Sequence, residues 1–101
     1  MQVRAAGTVV LEVDDDRAIP IEGNQYVPKD GLTADARLEP SPTPYHCPWK
    51  GDASYWNLVV GDATIEDAAW SYEQPMDSAV ERVGQDFAGY VAFDRSKVDL
   101  G

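Results

Sequence analysis

One cysteine and one histidine are all that the 101 residues hold of either type, and this scarcity closes off whole classes of chemistry. A lone cysteine forms no internal disulfide, and one Cys with one His falls short of the four ligands of a structural zinc site, so no metal is expected. Cationic side chains are also few: eight Lys and Arg stand against eighteen Asp and Glu, a formal charge of -10. Nucleic acids and anionic membrane surfaces are bound by clustered cations that displace counterions, so neither is an expected partner. No apolar stretch approaches the roughly 18 residues of a membrane-spanning helix. Met1–Gly7 has neither the basic start nor the apolar run of a secretory leader. With the single free cysteine, these absences point to a soluble, cytoplasmic protein. The chain has no Gly-x-x-x-x-Gly-Lys-Ser/Thr loop and no Gly-x-Gly-x-x-Gly, so no nucleotide cofactor is implied. It also lacks internal repeats and linkers, which leaves one domain over residues 1–101.

What is present is a series of short β-favouring runs cut by turn residues. Val3 to Val13 reads as a strand ended by Asp14-Asp15-Asp16, and Ala18 to Glu22 as a second strand that Pro20 pushes to a sheet edge, with a turn at Gly23-Asn24. Gln25 to Gly31 alternates and then turns, and Thr33 to Leu38 reads as one helical turn with Thr33 as its N-cap. Prolines at 40, 42, 44 and 48 exclude helix and central strand, so Glu39 to Pro48 is expected as an extended loop. Ala53 to Val60, a turn at Gly61-Asp62, and Ala63 to Tyr72 form the clearest hairpin. Asp77 is placed to cap a short helix from Ser78 to Val83 that Gly84 closes, and Tyr90 to Phe93 is a last strand with Val98 to Leu100 as its partner. The expected fold is mainly β, a compact single domain of short antiparallel strands with one or two short helical turns.

Chemistry concentrates in the run Tyr45-His46-Cys47-Pro48-Trp49-Lys50-Gly51-Asp52-Ala53-Ser54-Tyr55-Trp56. Cys47 is the candidate nucleophile, because a thiolate is reactive and the Lys50 cation three residues on would favour it if the turn brings them together. The competing reading is a small buried apolar group. His46 is adjacent in sequence, but neighbours in extended chain point to opposite sides, which disfavours a Cys and His pair. Lys50-Gly51 suits an anionic or carbonyl group, with lysine as point charge and glycine allowing close approach. Aromatic residues supply cleft walls: strand alternation puts Tyr55 and Trp56 on opposite faces and Trp70 and Tyr72 on one face, and because a small domain needs aromatics inside, Trp56 and Trp70 are assigned to the core and Tyr26, Tyr55 and Tyr72 to a cleft. The Asp14–Asp16 triplet reads as a solvated turn.

Several pieces in order resemble one family: Glu22; Tyr26-Val27-Pro28-Lys29-Asp30; Thr43; Cys47-Pro48-Trp49-Lys50-Gly51-Asp52-Ala53-Ser54-Tyr55-Trp56; Ala68-Ala69-Trp70-Ser71-Tyr72-Glu73-Gln74-Pro75; and Tyr90-Val91-Ala92-Phe93. The pattern is similar to the bacterial and fungal family called domain of unknown function 427, over nearly the whole chain. The resemblance implies a β-tent-like fold akin to the Mss4-like proteins without their metal knuckles. It marks Tyr26, Pro28, Cys47, Lys50, Gly51, Tyr55, Trp70, Tyr72 and Pro75 as signature positions. His46, after an extra Pro44-Tyr45, departs from the pattern just before Cys47. The nucleotidyltransferase-like label that the family carries in places is not transferred, since the Gly-Ser and paired Asp of that chemistry are missing here.

Two functions follow as expectations. The first is a small-molecule site, binding or catalytic, with Cys47 and Lys50 as the reactive pair and Tyr26, Lys50, Gly51, Tyr55 and Tyr72 holding the ligand without metal or cofactor. The second is a noncatalytic acidic module that binds another protein. Clustering of Cys, Lys, Gly and Tyr favours the first.

Overall fold

The computed structural model describes residues 1–100. Nine antiparallel strands and one helix follow the chain as β1 (Gln2–Ala5), β2 (Thr8–Glu12), β3 (Ile19–Ile21), β4 (Asn24–Tyr26), β5 (Ala36–Cys47), β6 (Gly51–Val60), β7 (Ala63–Ser71), α1 (Asp77–Val83), β8 (Val91–Phe93) and β9 (Asp99–Leu100). Single 3-10 turns lie at Asp15–Arg17 and Lys29–Gly31. The strands form a four-stranded sheet in the order β5-β6-β7-β8, a three-stranded sheet β2-β1-β9, and the β3-β4 ribbon. The fold is thus mainly β and antiparallel, in a single compact domain.

The four-stranded sheet is covered on both sides, and side-chain alternation sorts its residues between two cores. Ala69 and Phe93 face each other across β7 and β8 and join the core built with Val3, Val10, Leu11 and Val98 of the β2-β1-β9 side. One position along, Trp70 and Ala92 are paired and join Ile19, Ile21, Tyr26, Phe87 and Ala79 of the β3-β4 and α1 side. Leu58, fully buried, anchors the first core, and Tyr26 with Phe87 anchors the second.

Local chemistry explains where the chain departs from the expected elements. Val3 to Val13 is two strands, because Ala6 and Gly7 take left-handed backbone (φ 50° and 72°) and reverse the chain between β1 and β2. The next reversal uses Glu22 and Gly23 (φ 52° and 81°), one residue before the expected Gly23-Asn24 turn. Thr33 caps no helix: its hydroxyl donates to the Val9 carbonyl at 2.8 Å, and the chain enters β5 at Ala36. The Lys29–Gly31 turn lies hard against the end of β2, where a Cβ on Gly31 would overlap the Val13 side chain and crowd the Glu12 carbonyl.

The proline segment is a strand and not a loop. β5 tolerates Pro40, Pro42 and Pro44 because it is the sheet's edge, where missing amide donors cost no ladder bonds, and its register slips between Pro40 and Pro44. Two side chains fasten that slip: Ser41 Oγ and Thr43 Oγ1 donate to the Asp67 carboxylate at 2.5 and 2.7 Å. Asp77 begins α1 with Met76 at the cap position, and Gly84 (φ 86°) ends it. The last strand, β9, pairs with β1 and not with β8.

Candidate functional site

The turn Pro48-Trp49-Lys50 joins β5 to β6 and turns its lysine inward. Lys50 is one of only two buried polar or charged side chains among the described residues, 6% exposed, the other being Ser71. Its Nζ donates to Glu22 Oε1 at 2.6 Å and sits 5.0 Å from the Trp49 ring centre and 5.2 Å from that of Tyr72. Both are cation-π distances, and such contacts gain strength where water is excluded. The Arg82 guanidinium of α1 lies 4.4 Å from the Trp49 ring centre, so that indole has two cations about it. Glu22 reaches in from the tip of the β3-β4 ribbon, and its side chain stays 56% exposed against 8% for Lys50.

The electrostatics of this box are those of a matched pair. The Lys50 hydrogen bond holds the Glu22 carboxyl below its usual range against the opposing effect of burial, and the Lys50 charge, the Trp49 indole and Arg82 add to the lowering. Burial pulls the Lys50 ammonium down, but the bond to Glu22 and the neighbouring Tyr26, Glu22 and Cys47 carry it above its usual value. Burial likewise lifts the Tyr72 phenol well above its ordinary range, so it is a neutral wall of the box.

A family model described as domain of unknown function (DUF427) matches residues 1–101, the whole chain. The chain belongs to the DUF427 family. A comparison with curated proteins finds no match.

In this DUF427 chain the sequence-selected residues divide. Tyr26, Cys47 and Tyr72 lie in one buried cluster, and Lys50 presses on the Tyr72 ring from its rim. Tyr26 and Tyr72 are 6.4 Å apart between ring centres, and both meet Phe87 edge-on. They are 1% and 2% exposed, so these two expected cleft residues lie in the core, while Trp56 and Trp70 pack against the cores only half-buried and Tyr55 stays partly exposed. The reason is coverage. Phe87, α1 and the ribbon close over Tyr26 and Tyr72, whereas the two indoles pack partly exposed against one core each, with their N–H groups engaged. Trp70 Nε1 donates to Tyr26 Oη at 2.9 Å. Tyr55 stands outside this cluster, opposite Trp70 on the next strand, with ring centres 6.2 Å apart.

Cys47 is 5% exposed and packed among apolar side chains, and its neighbour His46 points to solvent and meets Asp52 Oδ1 at 2.7 Å. The two therefore face apart, as their adjacency in a strand requires. Gly51 takes a backbone that side chains avoid (φ 111°), and that conformation, not crowding, is what calls for glycine, since a Cβ there would meet Met76 and the Gln74 carbonyl only at ordinary contact distance. The segment between β7 and α1 packs on this turn, where the Met76 amide donates to the Lys50 carbonyl at 2.9 Å.

Sequence reading did not single out Glu22 or Arg82 for the box, nor the polar network on the other side of the sheet. There Trp56 Nε1 donates to Ser71 Oγ at 2.9 Å, Ser71 donates to Glu73 Oε2 at 2.6 Å, and Lys29 Nζ donates to both Glu73 oxygens at 2.9 and 3.0 Å. Burial works to raise the Glu73 carboxyl, and the Ser71 and Lys29 bonds more than offset it. Lys29 and Glu73 are 44 positions apart, so no local pattern announces them. A usable signal was the Glu22-Gly23 pair, since a two-residue reversal there puts a carboxylate at a ribbon tip.

Proposed function

We propose that this DUF427 domain binds a small molecule at the box formed by Lys50, Trp49, Tyr72 and Glu22. The observation that carries the reading is a buried ammonium whose carboxylate partner comes from an exposed ribbon tip. Burying a charge is costly, and a lysine that served only packing is replaceable by an apolar side chain at little loss. Lys50 is therefore read as the binding group, with Trp49 and Tyr72 as flat walls and Tyr26 and Gly51 as supports that hold the turn. Tyr55 belongs to the outer margin of the same sheet face. Cys47 is assigned a packing role behind the lysine, so the activity is binding and not thiol catalysis.

A protein-docking role through strand addition has less support. Pro40, Pro42 and Pro44 remove amide donors from the β5 edge, a feature that blunts such pairing.

The test is amide and indole NMR on nitrogen-15-labelled protein with a panel of small anionic, neutral and cationic compounds. Support is a compound that moves the Trp49 indole signal and the Lys50 and Gly51 amides, with the effect lost in Lys50→Met. Absence of any such compound, or an effect undiminished in Lys50→Met, overturns the reading.

A further inference from the structure

We infer that the ligand of the Lys50 box carries a carboxylate, and that Glu22 occupies the place of that carboxylate until the ligand displaces it. The inference rests on the box being a ligand site and names what enters it.

Glu22 already makes the contacts a ligand carboxylate would make. Its Oε1 lies 2.6 Å from Lys50 Nζ, with the Trp49 ring and the Arg82 guanidinium beside it. Yet Glu22 is not built into the core: its side chain is more than half exposed, while the ammonium it covers is almost wholly enclosed. Withdrawal of Glu22 would leave a buried cation with no anionic partner, a costly state that an incoming anion relieves.

The ribbon tip makes such a withdrawal feasible. Residues Ile19 to Ile21 pair with Asn24 to Tyr26, and Glu22 lies in the two-residue reversal between them. Its side chain can swing out without breaking a ladder bond. The reversal also suits glutamate poorly, since left-handed backbone at this position (φ 52°) is adopted most readily by Asn, Asp and Gly. A glutamate where asparagine is conformationally better is consistent with a carboxylate needed at that reach.

The donor set selects a carboxylate over a phosphate. Phosphate sites gather several backbone amides, often at a glycine-rich loop, to meet a dianion's oxygens. Here one ammonium, with an indole and a guanidinium adjoining, faces a single carboxylate. The partly exposed Trp49 ring beside the ammonium suits a planar group attached to that carboxylate.

The experiment titrates labelled wild-type protein, Glu22→Asn, Glu22→Gln and Lys50→Met with sodium benzoate, benzamide and inorganic phosphate at constant ionic strength, following the Trp49 indole. Asn relieves the backbone and removes the reach, and Gln removes the charge at nearly constant shape. The expected result is benzoate binding at least tenfold tighter to both Glu22 variants than to wild type. Benzamide and phosphate should bind at least tenfold more weakly than benzoate in those variants, and Lys50→Met should bind no benzoate. The inference is overturned if both Glu22 variants bind benzoate no tighter than wild type, if benzamide or phosphate matches it, or if none of the proteins binds it. A neutral compound acting at Trp49 in a Lys50-dependent way would sink the carboxylate assignment alone, whereas a panel with no compound acting there sinks the site itself.

Discussion

The two sides of the four-stranded sheet solve the same packing problem with different chemistry. Against β1, β2 and β9 the sheet presents Leu58, Ala69, Val91 and Phe93, and the core there is almost purely aliphatic. Against β3, β4 and α1 it presents Cys47, Tyr72 and Trp70 to Tyr26 and Phe87, with Lys50 and Glu22 at the rim. Apolar atoms need only fit, and their contribution scales with the area removed from water. Phenols, indoles and an ammonium need partners as well, so this side is constrained in direction and not only in volume.

The strongest way to break the comparison is to truncate the aliphatic side. Leu58→Ala removes a wholly buried side chain and should lower unfolding free energy by about 3 kcal/mol in urea melts, within the usual range for Leu→Ala. A loss below about 1 kcal/mol would mean that this side is not the principal core. On the polar side, Tyr26→Phe keeps the ring and deletes the oxygen that accepts the Trp70 indole, so the expected loss is about 1 to 2 kcal/mol with near-normal packing. Equal losses for the two variants would erase the distinction.

A smaller effect, and one with a signature in pH, belongs to the Lys50–Glu22 pair. The folded Glu22 carboxyl lies below its unfolded value, so its contribution is complete above about pH 4.3 and fades as pH falls through the folded value. Lys50 lies above its unfolded value, so its contribution is complete below about pH 10.4 and fades as pH rises through the folded value. The stability gap between wild type and Glu22→Gln should therefore be widest between about pH 5 and 10 and narrow on both sides. A gap constant from pH 3 to 11 would remove the ion pair from the account. Smallest of all, Cys47 should label with iodoacetamide in native buffer only as fast as the protein opens, given its burial. Labelling as fast as in denaturant would return Cys47 to a reactive role.

Much of the fold was legible because its signals are local. The β6-β7 hairpin follows from β-branched and aromatic runs about Gly61-Asp62, and α1 from a capped stretch ending at Gly84. Signals that compete locally were misleading. Four prolines spoke for a loop, yet an edge strand asks nothing of their missing amides, and Val3 to Val13 concealed a reversal at Ala6-Gly7 because alanine is not a turn-favouring residue. In the candidate site, Lys50 and Gly51 stood out by sequence and Glu22 only as a piece of the family pattern, whereas the pairing of Glu22 with Lys50 and the place of Arg82 did not, since they depend on which ribbon and helix fold over the turn.

By itself the sequence determined the composition-level facts and the short-range ones: a mainly antiparallel β domain of the DUF427 family, acidic, with its rare side chains gathered between Tyr45 and Trp56. Tertiary structure alone decided which of those side chains are enclosed and what they meet. Strand alternation assigns a residue to a face, but whether that face is covered depends on elements far away in the chain. Thus Tyr26 and Tyr72 became buried walls, Cys47 turned inward with them, and Lys50 acquired a partner 28 positions away.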